Sequence, residues 1–190
     1  MQRRLFSGVA AATALAASLM FGAMAQPAAA DPIPTDTAST QRTGVTPNSQ
    51  LKGKPIYVDE TKNKIVTTLR GVGKQVYECS AGKYVLREPV AGLFTLRAAP
   101  SGIHGKGPFW ALFDGSKVTG SNPVPDTSLS GTSTIPWLLI TATPEGTGGA
   151  LSKVRIIQRI DTRGGVAPAT CGPQTLSVDY SANYVFWAPK

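Results

Sequence analysis

His104 is the only histidine of the 190-residue chain, so any chemistry that needs imidazole must pass through it. It stands in His104-Gly105-Lys106-Gly107-Pro108-Phe109-Trp110, and Asp114 follows shortly after. A histidine oriented by a carboxylate is a competent general base, which makes His104 with Asp114 a candidate acid–base pair of a hydrolase or isomerase. The same segment also reads as a binding site. His104, Lys106, Trp110 and Asp114 would set an aromatic platform beside a few polar groups, the combination that carbohydrate and small-ligand sites use. A structural turn whose imidazole hydrogen-bonds the backbone is the plainer account of these residues.

The other chemistries are incomplete. A Ser-His-Asp hydrolase needs its nucleophile on a sharp turn beside an oxyanion hole; there is no Gly-x-Ser-x-Gly, and Ser101 is near His104 only in sequence. A catalytic zinc takes two or three nitrogen or sulfur ligands, and one histidine with two cysteines does not supply them, so no metal site is assigned. No EF-type calcium loop is present. Glu78, Glu88, Asp114 and Glu145 are available as a glycosidase carboxylate pair, but sequence does not give their separations. Gly71-Val72-Gly73-Lys74 matches part of a phosphate loop and fails at both ends. Gln75 stands where Ser or Thr is needed, and Thr68 where the first Gly is needed. No cofactor is implied. Lys153, Arg155, Arg159 and Arg163 form a basic stripe that could grip an anionic polymer. Such stripes are more often the solvated face of a strand.

The elements that would position these residues read as strands and turns. Lys64–Arg70 is β-branched and extended. Lys74–Cys79 and Lys83–Glu88 pair across Ala81-Gly82, and Leu93–Ala98 is a further short run. Trp110–Phe113, Asp114-Gly115 and Ser116–Thr119 predict a hairpin with a type I′ turn. Ile135–Thr143, with Trp137 in it, is apolar on both faces and predicts a central strand whose Trp137 packs in the core. Lys153–Arg163 alternates, with Val154, Ile156 and Ile160 opposite the basic stripe and Ile157 and Asp161 among the basic residues. In the last segment Leu176, Val178, Tyr180, Ala182, Tyr184 and Phe186 share one face. Trp187 falls on the more polar face and is expected to be accessible. With no 3.6-residue period after the first thirty residues, the pattern predicts an all-β, single-domain antiparallel sandwich or barrel.

The chain opens with Arg3 and Arg4, an apolar Ala-rich run from Leu5 to Ala25, and Ala28-Ala29-Ala30. This predicts a signal peptide over 1–30, cleaved after Ala30, and hence a secreted, extracellular protein with no transmembrane segment in its mature form. Arg3-Arg4-Leu5-Phe6 partly matches a twin-arginine signal, with Sec export the default. Residues 31–50 are polar and Pro-rich and read as a flexible leader, followed by a domain over 51–190. Removing the two arginines with the leader peptide takes the net charge from +8 to +6. That balance leans towards anionic partners, such as a carbohydrate or another cell-surface polymer, or simply towards solubility. Nucleic acid is not an expected partner. Cys79 and Cys171, alone in an oxidising compartment, are most simply a disulfide. It would close a loop whose entropy corresponds to about 4.7 kcal/mol.

Several motifs occur together: Gly73-x-Gln75-Val76-Tyr77-x-Cys79, His104-x-x-Gly107-Pro108-x-Trp110, Asp114-Gly115-Ser116-x-Val118 and Ile135-Pro136-Trp137-Leu138-Leu139. They are followed by Ile157-Gln158-Arg159, Thr162-x-Gly164-Gly165-x-Ala167-Pro168, Cys171 and Tyr180-x-Ala182-x-Tyr184-x-Phe186. From about Gly71 to Trp187 the chain resembles the DUF3455 family, secreted proteins of bacteria and fungi with no assigned function. The family often carries a Trp shortly after the first Cys, where here Tyr84 is the nearest aromatic. The resemblance implies no catalytic role. The expectation for function is a non-enzymatic extracellular protein binding a carbohydrate-like or small apolar ligand near His104, Trp110 and Asp114. The alternative is a secreted enzyme using His104 with Asp114.

Overall fold

The computed structural model describes residues 44–172 and 174–190. The expected signal peptide over 1–30, the expected cleavage point and residues 31–43 lie outside them. The expected sandwich or barrel is a barrel: eight antiparallel strands, each paired with its sequence neighbours, closed by β8 against β1. The strands are β1 (Asn63–Ser80), β2 (Lys83–Thr95), β3 (Pro100–Gly105), β4 (Phe109–Leu112), β5 (Lys117–Asp126), β6 (Trp137–Glu145), β7 (Ile156–Gly164) and β8 (Leu176–Pro189). Among the described residues no helix is long and apolar enough to cross a membrane.

The two-residue alternation of the strands divides the apolar residues between inside and outside. Tyr180, Ala182, Tyr184 and Phe186 of β8 point inward, as their shared face predicts. There they pack with Leu69, Leu93, Trp110, Val118, Ile140 and Ile157. Leu151 in a 3₁₀ turn at Ala150–Lys153, and Val154 just after it, fill the end of the barrel where β6 passes to β7.

Several strands run longer than their sequence patterns suggest. β1 continues straight through Gly71-Val72-Gly73, so the phosphate-loop fragment is mid-strand. At Gly71 the Tyr184 ring comes close to the backbone, and a Cβ would sit 2.6 Å from Tyr184 Cε2. β3, which carries His104, has no strand signature in the sequence because Pro100, Gly102 and Gly105 punctuate it. β5 runs on to Asp126 through Pro123 and Pro125, beyond its pairing with β4, which ends at Phe109↔Thr119. Its outer edge is free there, and proline is tolerated on such an edge.

The β4–β5 hairpin forms where expected, but not with a type I′ turn. Of the expected central pair Asp114-Gly115 only Gly115 has positive φ. The Leu112 carbonyl accepts from Gly115 N, and Leu112 N donates to the Ser116 carbonyl. This is a type I turn followed by a left-handed glycine. The two-residue turn with both φ values positive is Ala81-Gly82, between β1 and β2. Cys79 and Cys171 are bonded and fasten the β7–β8 connection to the tip of that hairpin, where Cys171 N also donates to the Gly82 carbonyl.

A second apolar cluster lies outside the barrel. Residues 44–58 cross the outer face of β6, β7 and β8 and cover Trp137, Ile160, Val185 and Trp187 with Leu51, Ile56 and Val58. The described part of the predicted flexible leader, Gly44–Gln50, therefore belongs to the packed domain, and Asn48 is buried. Trp187 is likewise buried rather than accessible, because this strap covers the face that sequence alone leaves open. Its Nε1–H donates to Gln158 Oε1 at 2.7 Å, and Gln158 Nε2 donates to Asn48 Oδ1 and the Ile56 carbonyl. Asp161 accepts from Thr46 N and Thr46 Oγ1 and holds the strap's start.

Candidate functional site

The barrel wall is uneven at the end bearing the disulfide. The β1–β2 and β5–β6 hairpins rise past the short β3–β4 hairpin that lies between them. The notch above that short hairpin leads to a cavity of about 280 Å³. Leu86 and Pro89 of β2 stand on one side, Gly120 and Ser121 of β5 with Pro123 on the other, and Pro108 at the sill. Deeper in, the lining is Gln75, His104, Trp110, Leu138, Ile140, Arg159 and Tyr184. At Gly120 a Cβ would meet Trp110 and Ile140 at 2.9 Å, so the bare backbone lets the indole lie close to β5.

His104 is 5% exposed and stacks on Trp110, with ring centres 4.4 Å apart and planes at 11°. Tyr184 meets both rings edge-on. The contact between His104 Nδ1 and the Phe109 carbonyl, 2.7 Å, assigns the proton to Nδ1 because a carbonyl only accepts. Nε2 is then a lone-pair acceptor. Burial pushes the imidazole pKa down to about 4, and the Arg159 charge acts in the same direction. At neutral pH His104 is uncharged.

Arg159 reaches the same cavity, which the basic-stripe reading does not anticipate. Between Ile160 and Arg163 β7 holds one more residue than β8 opposite it, and Asp161 there has a φ of 52°. This bulge reverses the facing of the residues after it. Arg159, before the bulge and opposite Tyr184, faces inward with Ile157, while Arg163, after it and opposite Ser181, is put outside and exposed. Lys153 sits on the 3₁₀ turn and Arg155 precedes β7. The four residues therefore form no continuous stripe, and the anionic-polymer site is corrected accordingly. The available signal was Ile157, an apolar residue on the supposedly basic face.

Arg159 Nε and Nη2 both donate to the Pro136 carbonyl, at 3.1 and 2.8 Å. Among the described residues it meets no carboxylate. Burial lowers its pKa, opposed by Tyr184, Tyr180 and Tyr77. Burial also raises the pKa of all three tyrosines, so they remain neutral phenols. Two other lining groups lack partners: Gln75 Oε1 and Trp110 Nε1, both buried.

The remaining candidates lie elsewhere. Asp114 lies in the turn past the far end of β4 from His104's partner Trp110, roughly 13 Å of extended chain away. It accepts from Ser116 N, Ser116 Oγ and Ala150 N and so pins the 3₁₀ turn to the β4–β5 connection. These bonds, that of the Ser116 side chain first, hold its carboxyl below the usual range. The His104–Asp114 pair is thus not assembled. Lys106 is exposed on the β3–β4 turn, outside the cavity. Ser101 Oγ donates to the Ala99 carbonyl. Glu78 and Glu88 pair with Arg87 at the rim, and Glu145 pairs with Lys117 at the far end. Among the described residues no three His, Cys, Asp or Glu side chains gather as a metal site would require.

Fold and cavity together define an eight-stranded meander barrel with a small, partly open cavity at one mouth, an arrangement able to hold one small ligand. The family model described as "Protein of unknown function (DUF3455)" matches residues 60–188, and the chain belongs to that family. The match begins after the strap. No curated protein and no solved structure matches the chain.

Proposed function

We propose that this is a secreted, non-enzymatic binding protein that holds a small ligand with a largely apolar or sugar-like body in the barrel-mouth cavity. The observation that carries the reading is the cavity itself. At about 280 Å³ it lies close to the lower end, about 300 Å³, of small-molecule sites. Apolar side chains wall it, and a few polar groups converge at its base. His104 and Trp110 contribute as a stacked floor, and Asp114 and Lys106 as scaffold and surface. Acid–base catalysis by His104 with Asp114 finds no support in their positions, His104 on β3 at the cavity and Asp114 past the far end of β4.

Titration calorimetry against small aromatic compounds and mono- and disaccharides tests the site. Leu138→Phe adds volume to the lining. It is expected to weaken any ligand by about tenfold or more while far-UV circular dichroism is unchanged. Affinity indifferent to Leu138→Phe would move the site elsewhere. For export, protein recovered from culture medium is expected to begin at Asp31; retention of the leader on the cell-associated protein contradicts it.

A further inference from the structure

The cavity holds one positive charge that the described residues leave unmatched. Arg159, half-buried on the inward face of β7 that it shares with Ile157, bonds one backbone carbonyl, and no carboxylate answers it. The other cation of the lining, Arg87, is already paired with Glu78 and Glu88 at the rim. His104 is neutral, and the three tyrosines around Arg159 carry no negative charge. An ionised group inside a barrel is costly unless it is paired. A guanidinium with two of its N–H groups on Pro136 still has donors to offer a planar acceptor. Trp110, in the same lining and 1% exposed, has a buried Nε1 donor without an acceptor. Two unmet donors and one unmet positive charge share a small apolar-walled space.

We propose that the ligand is an organic monoanion, a carboxylate on a small apolar body, whose acid group lies against Arg159. The proposal rests on the barrel-mouth cavity being the binding site and deepens that reading by naming the ligand's charge. One unpaired guanidinium answers one negative charge. A dianion such as phosphate would enter with a second charge that nothing in the lining neutralises, and with no apolar body to meet Leu138, Ile140 and the Trp110 ring. A neutral sugar would leave the arginine as it is.

The test uses the full-length mature protein and two matched pairs of probes, benzoate with benzamide and hexanoate with hexanamide, together with inorganic phosphate. Each pair shares size and shape and differs in charge. The acids are expected to bind about tenfold or more tighter than their amides, because a charge-assisted bond replaces a neutral one. Arg159→Gln is expected to abolish that preference. Arg159→Lys, which keeps the charge without the planar fork, is expected to retain part of it and serves if the glutamine variant does not fold. An arginine that only anchors Pro136 would lower the melting temperature when replaced and leave the acid-to-amide ratio unchanged; that result overturns the proposal. Acids and amides of equal affinity also overturn it while leaving the cavity as the site. Phosphate binding as tightly as the acids overturns the monoanion assignment. If neither acids nor amides bind, the binding-site reading fails together with the proposal.

Discussion

The barrel buries the same two side-chain types twice, with opposite outcomes. Under the strap, Gln158 and Trp187 are 0% and 1% exposed, and every polar atom of the pair has a partner within the chain. Inside, Gln75 and Trp110 are each 1% exposed, and Gln75 Oε1 and Trp110 Nε1 have none. A buried polar group without a bond costs about 1–3 kcal/mol, so the two sites do different work. The outer pair is a closed network that fixes residues 44–58 to β7 and β8. The inner pair lines the cavity with bonding capacity that the described residues leave unused.

Three stability measurements bear on this contrast. The largest expected effect belongs to the inner site. His104 has its folded pKa pushed down to about 4 from an ordinary value of 6.5. The unfolded chain therefore binds the proton more readily, and stability falls as pH drops through that window. Over pH 6.5 to 4 the loss is about 3 kcal/mol, fully present below pH 4 and absent above 6.5. Urea unfolding across that range measures it, and as the chain's only histidine His104 is the sole side chain of that type contributing. A His104→Gln variant should flatten the slope, and an undiminished slope would mean that the imidazole is not shielded. Next, Gln158→Leu strands the Trp187 Nε1–H and the Ile56 carbonyl, with an expected loss of about 2 kcal/mol. The smallest effect is expected for Gln75→Leu, which removes an amide that already lacks a partner for Oε1; stability should stay within about 1 kcal/mol of the parent. Equal losses for the two glutamine variants would erase the distinction between the sites.

Much of the fold is readable in the sequence. The alternation in β8 gives its inward face from Leu176 to Phe186, Ala81-Gly82 gives the β1–β2 turn, and the isolated pair Cys79 and Cys171 gives the bridge. Two things are hidden. The strap is hidden because Leu51, Ile56 and Val58 follow a stretch rich in Pro, Thr and Ser, and strand patterns cannot say what covers a strand's outer face. Trp187 reads as accessible for that reason. The cavity cation is hidden because Ile156 and Ile160 mark the opposite face of β7 as the buried one, whereas they are covered by the strap outside the barrel and Arg159 shares the inward face of Ile157. For the His104 segment sequence proximity misleads. Trp110 lies beside His104 through β3–β4 pairing, but the strand that joins them carries Asp114 to the other end of the barrel.

The closure of β1 on β8 also orders the assembly of the molecule in time. Asn63 meets Pro189, and the strap ahead of it rests on β7 and β8. The earliest described residues to be synthesised can thus take their final positions only after the latest have been made. Pairings so distant in sequence are slow to form. Until β8 arrives, the outer face of β6 and the inner face of β1 remain unshielded. A chain interrupted before residue 176 would lack the strand that closes the ring and would carry both of its apolar clusters open to whatever surrounds it.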